Sequence, residues 1–173
     1  MLPDTVIKML LVAVSRPSKW SKLPLAADEV KLVKAMTPSH ISVDLLGDFD
    51  GTDHKTDGSP TTDAVLNKLP EAAILHLACH GHQDPHNPLE SGFVMQDTML
   101  TVAMLMSLNL TKAFLAFLSA CETAKGDRAQ PDQAIHLAAT MLFAGFRSVV
   151  ATMWYVQPFV AAGHASRLTL GGM

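Results

Sequence analysis

Two stretches decide the fold: residues 73–79, AILHLAC, and residues 113–119, AFLAFLS. Each is a nearly continuous apolar run of strand length. A strand buried on one face alternates apolar and polar residues; a continuous run signals a strand covered on both faces. Working outward, residues 6–14 and 41–46 read as shorter strands, and 147–154 as another buried one. Helical patterns lie between them, at 26–36, 62–69, 102–108 and 133–144, the last with apolar positions nearly all round. Thr61 or Thr62 is placed to cap the second of these helices. Gly, Asp, Thr and Ser gather over 48–60 in a loop, a Pro-rich loop spans 84–88, and 92–100 reads as a hairpin. Strands alternating with helices predict an α/β architecture: a mostly parallel sheet, helices on both faces, right-handed crossovers. The pattern weakens after Trp154, where a helix over 159–168 is the poorest expectation.

Composition limits the function classes. The chain has 173 residues, 49% of them apolar and 17% charged, which suits one folded domain rather than a disordered chain. Thirteen Lys and Arg against sixteen Asp and Glu give a net charge of −3, without a basic block. A nucleic acid or an anionic membrane therefore has no electrostatic support as partner. Two cysteines make no disulfide framework. The apolar run 9–14 is short for a signal core and far below a membrane span, so the expected location is cytoplasmic.

In an open parallel sheet, sites collect beyond the carboxyl ends of the strands. One strand runs out at Cys79-His80-Gly81-His82, the other at Ser119-Ala120-Cys121-Glu122. Neighbouring strands lie ~4.8 Å apart, which brings His80 and Cys121 within reach of each other. A thiol beside an imidazole is an activated nucleophile. The N–H groups of Gly81 and Cys121 are candidates for an oxyanion hole, Gly81 because it has no side chain to hold a substrate carbonyl away. Cys79 is adjacent to His80 and so points to the opposite face; among apolar neighbours it reads as core. By spacing alone, two simply buried cysteines are the favoured reading, because one Cys and one His in a sequence are a weak signal.

The stretches ILHLACHGHQDPHNPLESGFVMQD (74–97), TKAFLAFLSACETAKG (111–126) and DQAIHLAATMLFAGFRSVVATMW (132–154) together resemble the CHAT domain, a caspase-like family of the separase and gingipain group. The resemblance rests on three blocks in order: an apolar strand ending in His-Gly, one ending in Ser-Ala-Cys-x-Thr, and a helix leading through Ala-Gly-Phe-Arg-Ser-Val to a Trp. It implies a caspase-like α/β sheet flanked by helices on both faces. It also implies a cysteine endopeptidase working through His80 and Cys121, with no cofactor. The implied substrate is a peptide or protein, with a helical-repeat regulatory region or partner alongside. The chain reads as one CHAT-like domain over 1–173, shortened or atypical after Trp154. Two details depart from the family pattern. Gln133 stands where many members have Glu, and Tyr155-Val156-Gln157-Pro158 carries no acid after the Trp. The alternative implied by these departures is a catalytically weak or inactive interaction or effector module.

The remaining polar residues have plainer readings. Four histidines and Cys79 fall within 76–86, but on a strand His76 and His80 are ~13 Å apart, too far for shared ligation at ~2.0–2.1 Å. No metal site is expected, and a zinc hydrolase is the third reading. His76 reads as a satisfied core histidine, His82 and His86 as loop residues near the groove, and His136 as buried and hydrogen-bonded. Asp97 is placed in the turn of the hairpin, where Asp is common for local reasons.

Overall fold

The computed structural model describes residues 6–47, 49, 58–120 and 131–151. The first strand, β1 (Ile7–Ala13), leads to helix α1 (Pro24–Met36) and then to β2 (Ile41–Gly47). Helix α2 (Thr62–Lys68) follows, capped by Thr61, whose hydroxyl accepts from the Ala64 N–H at 3.3 Å. The long strand β3 (Ile74–His82) is next, then a hairpin of β4 (Gly92–Val94) and β5 (Met99–Thr101), and helix α3 (Val102–Met106). Strand β6 (Leu115–Ala120), helix α4 (Pro131–Ala144) and β7 (Ser148–Ala151) complete the described chain.

Strands β2, β1, β3, β6 and β7 pair in that order, all parallel. The hairpin joins the same sheet antiparallel, through the last residues of β3. The sheet is thus α/β and mostly parallel, with helices against both faces. On one face α1 buries Ala26 and Val30 against Leu11, Ala13, Leu45 and Ala78. On the other, Val65 and Leu69 around α2, Leu105 of α3, and Leu137 and Met141 of α4 close over Leu10, Val12, Leu75, Leu77 and Leu118. Removing both faces from water is what makes the central strands read as unbroken apolar runs.

Four expectations need correction. Strand β3 does not stop at Cys79; it continues to His82 because β4 supplies new backbone partners, His80 opposite Val94, Gly81 opposite Phe93 and His82 opposite Gly92. Helix α4 is not buried all round. Leu137, Thr140, Met141 and Ala144 form its inward stripe, whereas Leu142 is 50% and Phe143 79% exposed. A helix laid on a sheet covers only one stripe, so His136, expected to be buried, is also exposed. Strand β7 is likewise half-open, with Val150 exposed, since among the described residues it pairs with β6 alone. The 48–60 segment is described only at residue 49 and from 58 on. Trp154, the expected 159–168 helix and the residues after Trp154 lie outside the described residues. Among the described residues, no helix is long and apolar enough to cross a membrane.

Candidate active site

Parallel pairing of β3 with β6 runs from Ile74 opposite Leu115 to Cys79 opposite Ala120. His80 is the next residue on β3. Cys121, the expected nucleophile, is the next residue in sequence after Ala120 and lies outside the described residues, as does Glu122.

The alternation of β3 separates its polar residues cleanly. Leu75, Leu77 and Cys79 enter the larger core. His76, Ala78 and His80 take the face of α1 and of the chain leading into it. Cys79 is 2% exposed, and burial pushes its thiol well above the ordinary value, with a hydrogen bond involving Val94 acting weakly in the other direction. A thiol held protonated is no nucleophile. Cys79 is therefore core, as its neighbours in the sequence suggested.

His80 is fully buried. Its Nε2 lies 2.8 Å from the Ser21 carbonyl oxygen and 3.3 Å from the Ser21 hydroxyl. A carbonyl only accepts, so Nε2 carries the hydrogen and donates it. In the neutral ring the lone pair then belongs to Nδ1. Trp20 flanks the same imidazole with ring centroids 5.8 Å apart, and meets His82 edge-on at 5.2 Å. The segment carrying Trp20 and Ser21 is itself tied to the hairpin end: Ser18 N–H donates to the Gln96 carbonyl at 3.1 Å. Ser21 and Trp20 come from the β1–α1 connection, 59 residues or more before His80 in sequence. No local pattern marks them, because a backbone carbonyl carries no residue-type signature.

Gly81 is buried in the β3–β4 ladder opposite Phe93. His82 is the last residue of β3 rather than a loop residue, and it is only partly exposed. His86 sits on the exposed loop, where its N–H and that of Asn87 donate to Asp84 Oδ1 at 2.8 and 2.9 Å. His76 is the satisfied core histidine expected of it, 2.8 Å from Glu29 Oε1 and stacked on Phe117 at 4.9 Å. Asp97 does lie between the hairpin strands, but its carboxylate works at a distance. It accepts from the Thr62 N–H at 2.9 Å and so caps the start of α2. Partial burial raises the Asp97 carboxyl, yet the hydrogen bonds from Thr62, Thr98 and its own N–H outweigh this and hold it below its ordinary range. Among the described residues, no group of three or more His, Cys, Asp or Glu side chains is placed to hold a metal ion.

A family model described as the CHAT domain matches residues 4–168. No curated protein matches the chain.

Proposed function

The chain belongs to the CHAT domain family, a caspase-like, peptidase-related group, and from that premise we propose that it is a cysteine endopeptidase acting through His80 and Cys121. One observation carries the reading: the β3–β6 register ends at Cys79 opposite Ala120, and the next residue on each segment is His80 and Cys121. Face alternation supports it. Phe117 and Ser119 of β6 reach His76 and Glu29 on the α1 side, the side that His80 also takes.

The chemistry follows from the tautomer. With Nε2–H held by the Ser21 carbonyl, Nδ1 of His80 accepts the thiol proton of Cys121. The sulfur attacks the peptide carbonyl carbon and a C–S bond forms. The carbonyl oxygen becomes an oxyanion, for which the N–H groups of Gly81 and Cys121 are the proposed donors. As the tetrahedral intermediate collapses, the C–N bond breaks and His80 returns its proton to the leaving amine. Water, deprotonated by the same imidazole, then hydrolyses the thioester. The substrate is a peptide or protein segment, and a helical-repeat region or partner is the proposed means of presenting it.

A second reading, a non-catalytic interaction or effector module, is favoured by one observation: His80 is wholly enclosed. Catalysis requires the cover over the ring, Trp20 included, to give way. A peptidyl probe with a thiol-reactive warhead separates the two readings. The expected result is labelling of Cys121, lost in His80→Ala, with Cys79 untouched. Absence of specific labelling in the folded wild-type protein favours the module.

A further inference from the structure

We infer that Glu29 is a positioning residue for the proposed His80–Cys121 pair, clamping β3 to β6 at His76 and Ser119, four residues before His80 and two before Cys121 in sequence. The inference rests on the dyad reading above. Helix α1 places the Glu29 side chain over the gap between the two strands. One carboxylate oxygen, Oε1, takes the His76 Nε2–H at 2.8 Å, and the other, Oε2, takes the Ser119 hydroxyl at 3.0 Å. One carboxylate therefore joins three elements, α1, β3 and β6.

The clamp sits in a defined place. His76 is 5% exposed and stacks on Phe117 with their planes only 4° apart, so the imidazole has little freedom to turn. Phe117 is its register partner across the strands. On the α1 face of β3 the order is His76, Ala78, His80. On β6 the same face carries Phe117 and Ser119, and Cys121 is two residues further along the sequence. A change in strand stagger at the clamp is carried to both strand ends.

A polar trio has a cost here, because the buried His76 imidazole loses hydration that an apolar side chain would not need, although the Glu29 side chain stays 36% exposed. Apolar packing of equal volume, however, tolerates sliding, whereas two short hydrogen bonds to opposite oxygens do not. What the trio adds is geometry. Proton transfer between a thiol and an imidazole is sensitive to misplacement on the scale of about 1 Å.

The test reads Cys121 directly and needs no known substrate. Iodoacetamide alkylation of the Cys121 peptide is followed by mass spectrometry against pH in wild type, Glu29→Ala, Glu29→Gln and Ser119→Ala. In wild type, the midpoint is expected below the ~8.5 of an ordinary thiol. Glu29→Ala and Ser119→Ala are expected to raise it toward that value, slowing alkylation at neutral pH by about tenfold per unit of rise. Glu29→Gln is expected to keep the wild-type midpoint, because its carboxamide oxygen accepts from His76 and its NH₂ donates to the Ser119 oxygen. Should Glu29→Ala fail to fold, Ser119→Ala carries the test, since it removes one hydroxyl. A role in stability alone would lower the melting temperature of the variants without moving the midpoint. A depressed wild-type midpoint left unchanged in the folded variants overturns the clamp and leaves the dyad standing. An ordinary wild-type midpoint overturns the dyad, and the clamp with it.

Discussion

At the scale of single residues, alternation along one strand does most of the sorting. Cys79 and His80 are neighbours, so a period of two sends one into the core and the other to the α1 face. That much was readable from AILHLACHGH. The Ser21 carbonyl that fixes the His80 tautomer was not, because any residue at position 21 supplies the same oxygen. Asp97 illustrates the same limit. Its turn position was legible, but its partner Thr62 lies 35 residues away in sequence. Replacing Asp97 with Ala removes that bond and is expected to destabilise the fold by about 1 kcal/mol, lowering Tm by about 2–4 °C in a thermal melt. The pH dependence has a definite sign. A carboxyl lowered on folding contributes fully above its unfolded value near 3.8 and loses that contribution as pH falls through the lower native value. The gap between wild type and Asp97→Ala should accordingly shrink in acid; an unchanged gap below that range would refute the assignment.

Among the elements, continuous apolar runs mark the central strands to within a residue or two, except that the run in β3 stops three residues before the strand does. Its last three residues are held by β4, and pairing between segments is not written in either segment alone. Helix α4 shows the complementary case. Its composition suggests burial all round, whereas its inward stripe follows a spacing of three and four residues and leaves Phe143 outside. The termination of α4 is local and was readable in principle from Gly145. The Phe146 N–H donates to the Met141 carbonyl and the Gly145 N–H to the Leu142 carbonyl, both at 3.1 Å, which is the Schellman pattern. Met141 and Phe146 pack in the same core cluster, supplying the apolar contact that accompanies it. Gly145 has φ +123°, and an added Cβ would lie 2.6 Å from the Leu110 carbonyl oxygen. Gly145→Ala is therefore expected to cost about 1–3 kcal/mol, read as a lower denaturant midpoint. A neutral result would mean that this turn is not held as described.

For the whole molecule, the order β2-β1-β3-β6-β7 puts the two most apolar strands side by side at the centre of the parallel sheet. Residue types predicted which strands are central, because only strands covered on both faces tolerate such runs. They did not predict the seal over His80, which arises where the β1–α1 connection crosses the end of β3. The proposed activity depends on the Cys121 thiol reacting beside the His80 imidazole. The most direct measurement is cleavage across a peptide library by wild type and by Cys121→Ala, with both shown to be folded. Wild type is expected to cut a defined subset of peptides and Cys121→Ala none. Undiminished cleavage by Cys121→Ala, or no cleavage of any peptide by the wild-type protein, would contradict the account.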